Sequence, residues 1–339
     1  MISLAALAAA CVPDFVDDTT HVDAPRIVAI RSEPAEAAER EVVTLRALVV
    51  GSEESVPVQW SLCVDRKPLS ELGPVSPRCL AGPDLDPEIA QSLGQSEAAV
   101  PAISATLPEI ACQLFGPQRP DPKAGEPAGR PVDPDSTGGF YQPALAWLAG
   151  AAVLGGVRLT CPLSGATREG LVEFNRRYRR NENPEIHALE LVRVDGSVIP
   201  LDAATATAVR ANERVALRVT WPECPVSPVC GDAICGADED SASCEEDCKT
   251  PRGCGGAERY VNYDHLAQIV ALQQEAVTVS WYATAGRFDA PRTDSALDTA
   301  ASSRNGFTAP TEGAVRIWAV VRDDRGGVTW TSAALSVQQ

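Results

Sequence analysis

The stretch Val315-Arg316-Ile317-Trp318-Ala319-Val320-Val321-Arg322 alternates along one apolar face and leads into the turn Asp323-Asp324-Arg325-Gly326-Gly327, after which a second apolar run extends from Val328 to Val337. A period of two residues indicates a strand with one buried face. Two such runs around a short glycine-containing turn favour a β-hairpin. The C-terminal end of the chain therefore predicts two antiparallel strands.

Three short patterns upstream occur twice and in the same order. They are Pro25–Ile30 with Pro184–Leu191, Val43–Arg46 with Val215–Arg218, and Val58-Gln59-Trp60 with Val279-Ser280-Trp281. Ordered self-similarity indicates two copies of one structural unit. The second copy is much longer between its second and third patterns, and most of the cysteines lie there. We therefore expect an insertion in a loop of the second copy, where added length costs little closure entropy.

Trp281, the turn at Gly313 and the final hairpin resemble the C, F and G strands of bacterial immunoglobulin-like or PKD-like modules. The resemblance covers residues 277–339 and, in the first copy, residues 26–63. It implies an all-β protein of two immunoglobulin-like β-sandwiches with a disulfide-rich insertion in the second. We place the first sandwich at 26–180, the second at 181–339 and the insertion at 222–257.

Composition excludes several classes of partner. The 339 residues carry a formal charge of −17, which opposes nucleic-acid binding because that affinity comes from neutralising phosphates. It equally opposes an electrostatic grip on anionic lipid. The apolar run from Ala144 to Val157 is too short for a membrane-spanning helix and predicts two buried strands joined by a glycine turn.

The apolar run Leu4–Ala10 before Cys11 resembles the h-region and lipobox of a bacterial lipoprotein signal. The resemblance implies a signal peptide at 1–10, a lipid attached to Cys11 and a lipidated flexible tether at 11–25. It also implies an exported protein anchored in the cell envelope, with the outer membrane as the expected location. Secretion without lipid and a cytosolic chain remain the alternatives.

The other ten cysteines form an even set, which can close five disulfides in an oxidising compartment. For the first four, sequential pairing competes with a Cys63–Cys161 bond between strands, and the sequential version is favoured slightly. The last six allow many pairings, which stay open. The ten are Cys63, Cys79, Cys112, Cys161, Cys224, Cys230, Cys235, Cys244, Cys248 and Cys254.

The run Cys230-Gly231-Asp232-Ala233-Ile234-Cys235 resembles the small acidic C-G-D-G-x-C repeats of exported bacterial proteins, which share an outline with Notch-type calcium-binding modules. Carboxylate oxygens suit Ca²⁺, and the candidate ligands are Asp232, Asp238, Asp240 and Asp247. The favoured alternative is a disulfide knot with a solvated acidic rim. No cofactor is otherwise expected.

A short amphipathic helix is predicted around Leu171, Phe174 and Tyr178, which recur at helical spacing. Its basic face either docks an anionic partner or, more commonly, pairs with nearby carboxylates. This face comprises Arg176, Arg177, Arg179 and Arg180.

Motifs for catalysis are lacking in the sequence. None of the three histidines has metal-ligand spacing, and there is no nucleophile elbow or phosphate loop. We therefore expect a non-catalytic recognition or scaffolding module, and we name no catalytic residue. Its partner is expected to be an envelope protein or a glycan, and its membrane contact only the lipid anchor. The alternative is a glycan-active envelope enzyme that uses a carboxylate pair.

Overall fold

The computed structural model describes residues 19–52, 54–67, 71–121, 130–225, 229–249, 252–294 and 300–339. Cys11 and the predicted signal peptide lie outside these residues. Strands dominate the described part, and the helices in it are short. None of the helices in these ranges is long and apolar enough to cross a membrane.

The first sandwich packs two sheets around a core that contains Leu45, Trp60 and Leu145. One sheet has the order β1-β3-β6 and the other β2-β8-β7-β4-β5. Short helices, η1 (Pro77–Leu80) and α1 (Ala111–Leu114), lie in its loops. Its strands are β1 (Arg26–Glu33), β2 (Glu36–Ala37), β3 (Val42–Val50), β4 (Val56–Cys63), β5 (Ala90–Ala98), β6 (Ala102–Thr106), β7 (Tyr141–Leu148) and β8 (Ala151–Leu159).

The second sandwich repeats this arrangement, with sheet orders β10-β9-β12-β18-β16 and β11-β20-β19-β15-β17. Its core contains Leu217, Trp281 and Ile317. Its strands are β9 (Ala188–Val192), β10 (Val198–Leu201), β11 (Thr207–Arg210), β12 (Arg214–Thr220), β15 (Val277–Ala283), β16 (Arg287–Phe288), β17 (Arg292–Asp294), β18 (Ser302–Thr308), β19 (Ala314–Asp323) and β20 (Val328–Gln338).

Each strand of the first sandwich has a counterpart in the second, which adds the edge strands β10 and β16. In each, a short early strand pairs in parallel with the last strand, β2 with β8 and β11 with β20. The paired tryptophans are equivalent as well: Trp60 Nε1 donates to Ser96 Oγ at 2.8 Å, and Trp281 Nε1 donates to Thr293 Oγ1 at 2.8 Å. The all-β, immunoglobulin-like double sandwich predicted from the sequence is confirmed, including the C-terminal hairpin and the strand pair in the apolar run from Ala144.

Three segments lie outside the sandwich sheets. They are helix α2 (Arg168–Arg177), the disulfide-bonded region 224–254 with the short helix α3 (Glu245–Cys248), and a separate hairpin of β13 (Arg259–Asp264) and β14 (Ile269–Gln274). We call region 224–254 the knot. The chain between β12 and β15 therefore leaves the second sandwich for longer than the expected insertion 222–257, because the hairpin follows the knot directly.

The described part of the expected tether, residues 19–25, lies against the second sandwich. Val22 N donates to Ala283 O at 2.9 Å, and Ala283 N donates to Thr20 O at 2.9 Å. Val22 is buried. These contacts hold residues 20–22 in place where a flexible chain was expected, because the Val22 side chain is buried in the apolar cluster between the sandwiches.

Candidate functional site

The two sandwiches meet through an apolar cluster. Ala29, Leu48 and Val50 of the first sandwich pack with Val320 of the second and with Val22. Val320 points away from the core that its strand neighbours fill, so β19 is buried on both faces. This double burial explains the unbroken apolar run at 319–321, and it joins the two domains.

A buried guanidinium reinforces this interface. Arg325 lies in the turn between β19 and β20 and is 0% exposed. Its Nη1 donates to Glu258 Oε1 at 2.9 Å and to Glu275 Oε1 at 3.0 Å, while Nη2 donates to the carbonyl oxygen of Arg179 at 2.8 Å. The guanidinium also lies over the Tyr260 ring, 4.7 Å from its centre. One turn residue thus connects the second sandwich to the β13–β14 hairpin and to the segment that follows α2.

The first sandwich contributes Glu36, which is fully buried. It accepts hydrogen bonds from Tyr178 Oη at 2.6 Å, Thr160 Oγ1 at 2.9 Å and Asn181 N at 2.9 Å. Its carboxylate lies 3.4 Å from Arg158 Nε and 3.9 Å from Arg325 Nη2. We call the group Arg325, Arg158, Glu36, Glu258 and Glu275 the clamp.

The clamp holds three carboxylates and two guanidiniums, and the pKa values of two of its glutamates are raised. Burial raises the pKa of Glu258 to about 7. Burial, together with the neighbouring charge of Glu258, raises the pKa of Glu275 well above its ordinary value. Burial alone would lower the pKa of Arg325, but the charges of Glu275 and Glu258 outweigh it and hold that pKa above the ordinary value. The acidic pair therefore retains a proton where exposed glutamates would have lost theirs.

An open cleft of about 360 Å³ lies beside the clamp. Its walls come from the 134–140 loop and the end of β8 in the first sandwich, from α2, and from the β13–β14 hairpin. We call it the junction cleft. Its lining residues include Asp135, Phe140, Arg158, Ser164, Phe174, Asn175, Tyr178, Asn262, Tyr263 and His265.

The position of α2 is fixed locally by sequence. The Thr167 side chain caps the helix by accepting a hydrogen bond from Gly170 N at 3.1 Å. Gly170 has no side chain, and a Cβ there would lie 2.6 Å from the Tyr263 ring. The helix can therefore pack closely against the hairpin, and this position places Phe174 and Asn175 in the wall of the cleft.

The basic face of the predicted helix pairs with carboxylates and carbonyls of this chain. Arg177 Nη2 donates to Asp238 Oδ1 at 2.9 Å, and Arg179 Nη2 donates to Glu239 O at 2.7 Å. Arg176 pairs with Asp240 and Arg180 with Glu41 in the same way. The structure therefore follows the second interpretation of this face, with the knot as its main acidic partner.

The knot is closed by its own disulfides, and the first domain has two. Cys63–Cys79 and Cys112–Cys161 follow the sequential pairing, while the knot contains Cys224–Cys254, Cys230–Cys244 and Cys235–Cys248. Five disulfides indicate an exported protein in an oxidising compartment.

The four candidate calcium ligands are engaged separately. Asp247 accepts hydrogen bonds from Gly231 N at 2.6 Å and Ala233 N at 3.0 Å, which closes the knot's first loop. Asp238 pairs with arginines, Asp240 caps the 242–243 turn, and Asp232 accepts from Ile234 N. In the described ranges the single three-residue ligand group joins Asp247 to two cysteines already in a disulfide. The described residues therefore do not bring these four carboxylates together in one group.

Comparisons with known proteins give distant likenesses in structure alone. No family model and no curated protein matches the chain. Fibronectin(III)-like modules of Clostridium thermocellum CbhA are 11% identical over 92% of this chain and 95% of that one, with a TM-score of 0.19. The Yersinia pseudotuberculosis adhesin InvE is 8% identical over 91% and 58%, with a TM-score of 0.21. The D00–D0 domain of intimin is 10% identical over 92% and 100%, with a TM-score of 0.22. Scores this low carry no argument, and the fold class rests on the strand order above.

Proposed function

We propose that this protein is a non-catalytic recognition module of the cell envelope, exported and anchored by lipid at Cys11. The observation that carries the proposal is the junction cleft, whose walls come from the first sandwich, α2 and the hairpin. Loops and segments presented on a rigid scaffold are where binding residues concentrate. The apolar cluster and the clamp provide that rigidity.

The arrangement of the buried carboxylates favours recognition over the glycan-active enzyme. Glu258 and Glu275 approach the same nitrogen of Arg325 and so lie close together, but both are buried. The cavity that borders Glu258 holds about 30 Å³, which is little more than one water molecule. A sugar ring does not fit there, so this pair serves the domain interface rather than acid–base catalysis.

Two measurements test the proposal in native cells. Metabolic labelling with a fatty acid should mark the wild-type protein and leave Cys11→Ser unlabelled. Affinity capture from native envelope should recover a partner with wild type and with Gln95→Ala, an exposed amide on β5 far from the cleft in the sheet order. Recovery should fall with Asn175→Ala, an exposed change on α2. Equal recovery with both variants would remove the cleft from the proposal, and an unlabelled wild type would remove the anchor.

A further inference from the structure

We infer that the junction cleft binds a neutral oligosaccharide. This inference rests on the proposed recognition function and names its ligand class. Three features of the cleft carry it: the side chains of Asp135 and Arg158 are held by hydrogen bonds within the protein, the amides of the cleft are free, and its remaining surface presents aromatic rings.

The charged groups of the cleft are occupied by the protein itself. Asp135 Oδ1 accepts from the backbone N and the Oγ1 of Thr137 at 2.9 and 2.7 Å, and Oδ2 accepts from Tyr141 Oη at 2.8 Å. Arg158 is buried, donates to Thr137 Oγ1 at 2.7 Å and to Tyr141 Oη at 3.0 Å, and pairs with Glu36. Arg158 therefore offers no free counter-charge to an anionic ligand, and both carboxylate oxygens of Asp135 already accept hydrogen bonds from neutral donors of the protein.

Three uncharged polar side chains of the cleft, by contrast, have no hydrogen-bond partner among the described residues. Within the described residues, the side chains of Ser164, Asn175 and Asn262 form no hydrogen bond although all three line the cleft. The Asn262 amide lies directly against the backbone of Gly138, where a Cβ would be 2.3 Å from its Oδ1. Gly138 has φ +76° and leaves the room this amide needs. Each amide offers two donors and an acceptor, which matches the donor and acceptor character of a sugar hydroxyl.

Aromatic rings supply the apolar part of the surface. The Phe174 ring stacks on Tyr178 with centroids 4.9 Å apart, and Phe140 lies on the opposite, first-sandwich wall. Both phenylalanines are only half-buried. A pyranose presents an apolar C–H face and a rim of hydroxyls, so it can cover a ring and pair with amides at once. The volume of about 360 Å³ lies within the range of ligand pockets.

A proline-rich peptide is the competing ligand, because it also docks on aromatic grooves. The tyrosine hydroxyls that would serve its carbonyls are engaged here: Tyr178 Oη donates to Glu36 and Tyr263 Oη donates to Gln268 Oε1. The free donors are instead the amides at the rim. This distribution favours the saccharide.

The test uses the full chain with Cys11→Ser, oxidised, in titration calorimetry. Probes are neutral tetrasaccharides of glucose, mannose, galactose and N-acetylglucosamine, with a sulfated and a carboxylated oligosaccharide and a proline-rich peptide as comparators. At least one neutral tetrasaccharide should bind saturably. Asn175→Ala and Asn262→Ala should each weaken that binding about 3- to 10-fold, the loss typical of one neutral hydrogen bond. The matched amide change Gln95→Ala should leave it unchanged.

Asn175 is exposed on a helix, where alanine is well tolerated, so this variant reports binding even if Asn262→Ala misfolds. Tighter binding of a charged saccharide or of the peptide, or no neutral binding at millimolar concentration, would overturn the ligand class. If envelope capture is still lost with Asn175→Ala in that case, the recognition function stands without the glycan. Cleavage of a bound tetrasaccharide would contradict the non-catalytic function and leave the ligand class intact.

Discussion

Replacing Arg325 with methionine removes a buried cation that contacts three carboxylates and keeps most of the side chain's volume. Glu258 and Glu275 lose their hydrogen bonds of 2.9 and 3.0 Å, and both remain buried. Removal of one partner from a buried ion pair costs about 3–5 kcal/mol, since the other charge is left uncompensated. The contact with the Tyr260 ring adds about 1 kcal/mol. Because Glu258 and Glu275 have raised pKa values and can take up a proton once the guanidinium is gone, we expect a loss at the lower end of that range, about 3 kcal/mol.

The assay is urea unfolding of the oxidised protein at neutral pH, followed by tryptophan fluorescence. Arg214→Met is the control, because its pair with Asp289 is exposed at 68% and 46% of the side chains and should contribute at most about 1 kcal/mol. Since Arg325 joins the sandwiches, its loss should also separate one transition into two. A decrease below about 1 kcal/mol with a single transition would refute the clamp as the element that couples the domains.

Because the pKa values of Glu258 and Glu275 are raised, the folded state holds more protons than the unfolded state between pH about 4.5 and 7. The free energy of unfolding should therefore fall as pH rises through that window, by up to about 1.4 kcal/mol per unit and retained proton, and Glu275→Gln should flatten the slope in urea titrations. Replacing residues 223–256 with a short Gly/Ser linker should leave a β-rich second sandwich by circular dichroism, since its core lies outside the knot. The replacement should also lower the free energy of unfolding, because it removes the knot's contacts with Arg177 and Arg179. An unfolding curve identical to that of the wild type would show that these contacts do not stabilise the protein. Replacing Cys112 and Cys161 together by alanine should cost about 4 kcal/mol in urea unfolding, given the separation of 49 residues; a cost below about 1 kcal/mol would contradict it.

The fold was accessible from the sequence because its signals are local. Alternation in β19, the turn after it and the tryptophan of each copy report burial within a few residues of chain. The helix at Phe174 was predicted for the same reason. The repeat of three patterns then fixed the correspondence of the two sandwiches, which the strand orders bear out.

The clamp and the cleft were not accessible because their members are far apart in the chain. Glu275 and Arg325 stand among polar or turn residues, whereas Glu36 and Arg158 are single charged residues between apolar neighbours, and in none of the four does the adjacent sequence show which distant residue will pair with it. Arg325 was interpreted as part of a hairpin turn, where charge is ordinary. One local signal existed: an apolar residue such as Val320 on the outer face of a strand implies a second buried surface. A partner for that surface could not be named without the structure.

The clamp and the junction cleft share Arg158, and this ties stability to recognition. Arg158 pairs with Glu36 on one side and, on the other, donates to Thr137 of the 134–140 loop and to Tyr141 at the start of β7. Arg325 does not line the cleft. Its loss nevertheless removes a cation beside Glu36, the carboxylate that pairs with Arg158. Arg325→Met should therefore weaken ligand binding without removing any ligand contact, and a bound ligand should in turn stabilise the interface by mass action. If the affinity of the cleft is the same in Arg325→Met as in wild type, the cleft is shaped by the first sandwich and α2 alone.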